Sequence, residues 1–219
     1  MEFISLGRHC DVAYNIAKYI KKQPTHFVDW LRTDFKCILH ILNLNNIDNI
    51  FNLENIKVDK ELYAHENEIA ITLKNFEENN LTLLFHHEIK LKDYNNYNNT
   101  EINNKLNEFI DKYKRRFNRL NELIKSNNKL IFIYKITNHF DYKTYISEFE
   151  KVILSINPNC IFCLVLLVDS REEDYYYTKY KNYLKINVGK YIDKNIKPDW
   201  YNPQIKWTEV FNIINILAF

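Results

Sequence analysis

Apolar residues in this chain follow two patterns, and the contrast between them outlines a fold. Leu130 to Ile136 and Ile161 to Val168 are almost unbroken apolar runs. Strands covered on both faces read this way, and such strands belong to parallel sheets. Elsewhere the apolar positions recur at helical spacing. The stretch Glu101 to Lys125 carries Ile102, Leu106, Phe109, Ile110, Tyr113, Phe117, Leu120 and Ile124 on one stripe, which predicts a long helix. Tyr142 to Ile156 predicts a second helix between the two runs, and Trp207 to Leu217 a terminal one.

The N-terminal part continues the alternation. Glu2 to Leu6 reads as a strand, and Val12, Ala13, Ile16, Ala17 and Ile20 then predict a helix from Cys10 to Lys21. Gln23-Pro24-Thr25 breaks the pattern, and a further helix is expected from about Asp34 to Leu44. Asn45 to Lys74 is less regular, with Ile69 to Leu73 its clearest strand. Leu81 to Phe85 is a better strand, Asn95 to Thr100 reads as a loop, and Leu184 to Val188 as a last short strand. No repeat or linker divides residues 1–219. The expectation is one α/β domain: a mostly parallel central sheet with helices on both faces, a Rossmann-like three-layer sandwich. The first strand, the Leu130 strand and the Ile161 strand should be adjacent and parallel.

Sites in such sheets gather beyond the carboxyl ends of the strands. Cys10 follows the first strand, and His86 and His87 follow Leu81 to Phe85. Asn138 and His139 follow the Leu130 strand, and Asp169 follows the Ile161 strand. A thiol, imidazoles and a carboxylate are the ingredients of cysteine–histidine catalysis. Gly7, one of only two glycines, makes the turn before Cys10. A helix start favours a thiolate there, whereas the bland alternative is a small buried thiol. Arg8 and His9 would line that site. Asp11 would oppose thiolate formation.

Composition narrows the partners. A net charge of +2 does not suit bulk binding of nucleic acid, and two glycines cannot build a glycine-rich phosphate loop. No run is long enough to span a bilayer, and the first residues do not resemble a signal peptide, so a reducing cytoplasmic setting with free thiols is expected. Cys160 and Cys163 read as core positions of a buried strand, not as a metal pair. Abundant Asn, Lys, Ile and Tyr read as the product of an AT-rich genome. Lys112, Arg115, Arg116 and Arg119 share one helical face, either solvated or able to hold an anion.

The motifs Ile4-Ser5-Leu6-Gly7 with Cys10, then Phe27 and Asp29-Trp30-Leu31, resemble the N-terminal signature of a family of unknown function labelled papain-like cysteine peptidases. Leu84-Phe85-His86-His87-Glu88, the basic helix around Arg115 and Arg116, and Leu130 to Ile133 extend the likeness to about Val168. The resemblance implies a Cys10 nucleophile and a His86 base, with His87 a rival where the family often has Asp. It also implies a role for Asp29, and Trp30 would frame the pocket. A papain-like α+β fold, with the nucleophile at a helix start and the histidine on an antiparallel sheet, is the alternative architecture. Three functions stay open. The first is a cysteine hydrolase acting on an ester, thioester or amide of a peptide, glycan or small molecule, with no cofactor required. The second is an acyltransferase or glycan-modifying enzyme using coenzyme A or a nucleotide sugar. The third is a non-catalytic binding module.

Overall fold

The computed structural model describes residues 1–8, 10–21, 24–44, 46–63, 68–136, 142–169, 176–197, 199 and 201–219, and at 60–63, 86, 91, 142 and 143 it describes the backbone. Two sheets organise them. The first joins β1 (Glu2–Ser5), β6 (Lys129–Ile136), β7 (Ile161–Val168), β9 (Tyr183–Asn187) and β8 (Tyr177–Tyr180) in that spatial order. β1, β6, β7 and β9 run parallel, and β8 closes the edge antiparallel. The register aligns Ile4, Phe132, Leu164 and Tyr183 in one row. The expected adjacency of the first three parallel strands is therefore correct.

Residues alternate between the two faces of this sheet. Phe3, Ile131, Ile133, Val165 and Leu167 pack with α1 (Cys10–Ile20) and α7 (Trp207–Leu217). Ile4, Phe132, Leu164 and Leu166 pack on the opposite side with α2 (Phe35–Leu42), α5 (Asn99–Lys125) and α6 (Tyr142–Ile156). With helices over both faces, neither set of side chains can be polar, which explains the continuous apolar runs.

The second sheet is wholly antiparallel, in the order β2 (Leu31–Thr33), β5 (Leu83–Lys90), β4 (Glu68–Leu73), β3 (Ile56–Tyr63). It corrects the sequence reading in two respects. The Leu81 strand does not belong with the parallel strands, and it runs on through His86 and His87 to Lys90. Its buried Leu83 and Phe85 flank the half-buried Leu84, the one-sided alternation of an antiparallel strand. The architecture is thus mixed α/β with two sheets. Two short helices complete this part: α3 (Lys74–Glu78) links β4 to β5, and α4 (Leu91–Asn96) links β5 to α5. The loop expected at Asn95 to Thr100 is instead the end of α4 and the start of α5. There Asn98 accepts from the Glu101 N–H while the Glu101 carboxylate accepts from Asn98.

Phe85 from β5, Phe51 before β3, and Phe109 and Tyr113 from α5 form an edge-to-face and stacked cluster with centroids 4.6 to 6.1 Å apart. The same apolar core takes in the parallel sheet's Phe132 and Leu164. No helix among the described residues is long and apolar enough to cross a membrane.

Candidate active site

The site grows from the end of β1. Gly7 has φ 76°, and a Cβ there would lie 2.5 Å from Thr33 Cγ2 and 3.2 Å from the Val28 carbonyl oxygen. Only glycine lets this turn close against the Val28–Thr33 segment. Two of the quoted sequence motifs are therefore pressed face to face. Asp29 locks them: its buried carboxylate accepts the His26 N–H at 2.7 Å and also the Ser5 N–H.

Cys10 is the first residue of α1, immediately beyond this turn. Its thiol is partly covered and pushed up to about 11, first by burial and then by the charges of Asp11 and Glu68. This reverses the thiolate expected at a helix start, because desolvation and two carboxylates outweigh the backbone N–H that favours the anion. Asp11 is buried and held by Lys135 of β6 at 2.7 Å and by Asn202. Cys37, Cys160 and Cys163 are buried core thiols, the last two on or beside β7 as the sequence suggested.

Glu68, which acts on Cys10 from β4, identifies the facing wall. His87 Nδ1 stands 2.7 Å from Glu68 Oε2, a close contact that is not aligned as a hydrogen bond. The contact exists because β5 bulges. Phe85 faces Ile71 and Ile89 faces Ile69, so His86, His87 and Glu88 bow out opposite Ala70 alone. His87 adopts φ 65° and meets the Trp30 ring edge-on at 6.4 Å. Six non-glycine residues have positive φ among the described residues, and Arg8, Trp30, His87 and Asn202 are four of them. Each such residue costs about 1 kcal/mol or more, and strain of this kind collects at functional sites. Arg8 precedes Cys10 by two residues, Trp30 and His87 meet each other, and Asn202 holds Asp11.

The other expected residues divide. The backbone of His86 lies in the bulge, but its side chain lies outside the described residues, as do His9, Asn138 and His139. Asp169 is exposed beyond β7, on the same edge as Cys10 but with β6 between their strands. Glu88 accepts from the Tyr113 hydroxyl at 2.8 Å and pairs with Lys112, so it is committed to α5. The basic stripe separates likewise. Arg115 is exposed, whereas Arg116 lies 5.0 Å over the Tyr113 ring, and both Arg116 and Arg119 act on Asp29 and His26. Helical spacing could not show that α5 presents this flank to the Asp29 turn. Glu68, Lys135 and Asn202 carried no sequence signal, since tertiary pairing alone brings them to Cys10.

An uncharacterized protein of Acanthamoeba polyphaga mimivirus is 25% identical over 230 residues, spanning 95% of this chain and 96% of the relative. No solved structure matches the chain. A family model does, over residues 1–171, which include β1, the Cys10 turn, the Asp29 turn, the whole antiparallel sheet and β7. By that match the chain belongs to the family described as "putative papain-like cysteine peptidase", a domain of unknown function.

Proposed function

We propose that the chain is a cysteine hydrolase in which Cys10 attacks the carbonyl of an amide, ester or thioester. The observation that carries the reading is a chain of three groups from separate elements: the Cys10 thiol acted on by the Glu68 carboxylate, and that carboxylate in contact with the His87 imidazole. Cys10 opens α1 and feels the charge of Glu68, whose carboxylate touches His87. The family match over most of the chain supports the same chemistry.

The geometry suggests a sequence of steps. The Cys10 thiol is protonated at neutral pH, so the free protein holds no preformed thiolate. His87 takes the thiol proton as sulfur attacks, and Glu68 steadies the imidazolium that results. Backbone N–H groups in the first turn of α1 face the developing oxyanion. The imidazolium then returns the proton to the leaving amine, alcohol or thiol. Water, activated by the same imidazole, cleaves the acyl-enzyme and frees Cys10. His86 is the rival base, next in sequence on the same bulge.

The test is turnover of peptide amide and aryl ester substrates by wild-type protein, Cys10→Ala, His87→Gln and His86→Gln. Loss of turnover in Cys10→Ala, with an acyl adduct on Cys10 trapped by mass spectrometry, supports the reading. Undiminished turnover in Cys10→Ala would end it. If wild-type protein turns over nothing and Cys10 resists alkylation until the chain unfolds, a binding role replaces it.

A further inference from the structure

We infer that Arg8 selects substrates carrying a negative charge beside the scissile carbonyl, an inference that rests on the cysteine-hydrolase reading. Arg8 sits two residues before Cys10 and follows Gly7, and both have left-handed backbones, φ 64° and 76°. Its guanidinium lies near enough to the hydroxyl of Tyr134, a buried residue near the carboxyl end of β6, to act on it electrostatically. The N–H of Phe35, the first residue of α2, points at the same hydroxyl. Arg8 thus lies where adjacent parallel strands β1 and β6 end, the position at which α/β sheets bind ligands.

Several other cations are engaged in ion pairs. Lys135 is paired with Asp11, Lys112 with Glu88 and Lys114 with Asp48. Arg8 makes no ion pair among the described residues. Asp34 also acts on Tyr134, but its two oxygens already accept the N–H groups of Cys37 and Thr82. A half-buried guanidinium facing a neutral phenol keeps most of its five N–H donors and its whole charge for another group. Partial burial weakens its hydration, so an anion that reaches it gains a stronger charge-assisted contact than in open water. Its planar fork matches a carboxylate or a phosphate monoester, and the two share this chemistry. The left-handed backbone at Arg8, two residues before Cys10, is of the kind that collects at functional sites.

The experiment uses quenched fluorescent peptides carrying Glu or Gln, and phosphoserine or Ser, on either side of the scissile bond. Wild-type protein should show kcat/KM at least about tenfold higher for one of the charged peptides than for its neutral partner, the scale of one charge-assisted hydrogen bond. Preference for Glu identifies a carboxylate, and preference for phosphoserine a phosphate. The ratio should collapse towards unity in Arg8→Gln and survive in part in Arg8→Lys, which also serves if the Gln variant does not fold. Unchanged ratios in Arg8→Gln overturn the assignment. If wild-type protein cleaves none of these peptides, the hydrolase reading is judged by its own test and calorimetry decides on Arg8. Glutarate or inorganic phosphate that binds wild-type protein but not Arg8→Gln upholds the anion site. Equal binding, or none, overturns it.

Discussion

Folding should move a proton from His26 to Asp29, and two substitutions expose the exchange. Burial, with Arg119 and Arg116 adding to it, pushes His26 down from 6.5 to about 4. Burial also pushes Asp29 up from 3.8 to about 7, against the pull of its backbone hydrogen bonds and the same arginines. Between about pH 4 and 6.5 the unfolded pair holds its proton on the imidazole, and the folded pair holds it on the carboxyl. Proton numbers match, so the pair adds no slope to stability in that window. In Asp29→Asn only His26 remains. The unfolded chain then binds the extra proton, and stability gains about 1.4 kcal/mol per unit as pH rises, about 3 kcal/mol across the window. In His26→Gln only Asp29 remains. The folded chain binds the extra proton, and stability falls at the same rate from about pH 4 to about 7, about 4 kcal/mol in all. Urea unfolding followed by tryptophan fluorescence, in half-unit steps from pH 4 to 7.5, reads both slopes relative to wild type. Three parallel curves would refute the proton exchange and with it the buried, ionisable character of the Asp29 turn.

Three further outcomes follow from the same geometry. Gly7→Ala should cost about 3 kcal/mol through left-handed strain and the clash with Thr33 Cγ2, and Thr33→Ser, which removes that methyl, should recover part of it in the double variant, as denaturant melts will tell. Cys10 alkylation by iodoacetamide should rise with pH towards about 11, and Glu68→Gln should lower that midpoint and speed labelling at pH 8; an unmoved midpoint would remove Glu68 from the site. Phe85→Ala should cost about 3 to 5 kcal/mol by opening a cavity against Phe109 and Tyr113, read as a fall in Tm.

The parallel sheet was readable from sequence because both of its faces are covered. Leu130 to Ile136 and Ile161 to Val168 could hardly be anything other than strands of such a sheet, and Cys10 follows β1 as expected. The antiparallel sheet was harder to read. β3 mixes Val58 with Lys57 and Asp59, and Leu83 to Phe85 gives a strand without its direction or partner. The site lies between the two sheets and inherits both qualities. The Gly7 turn is local, so it showed. The Glu68–His87 contact depends on where β5 bulges against β4, a matter of pairing register that no short motif encodes. The basic residues of α5 showed their common face, but which flank met Asp29 was decided by packing.

One feature of the topology also orders events in time. β1 ends at Ser5, yet its partner β6 begins only at Lys129, and the whole antiparallel sheet and α5 lie between them in the chain. Pairings so distant in sequence close large loops and form slowly. Cys10 hangs on the strand with the most distant partner, while Glu68 and His87 belong to strands that meet locally. Glu68 and His87 are thus expected to come together before Cys10 reaches them, so under the proposed hydrolase reading a half-folded chain would carry no working centre. Pulse-labelling hydrogen exchange should find the amides of β1 protected after those of β4 and β5.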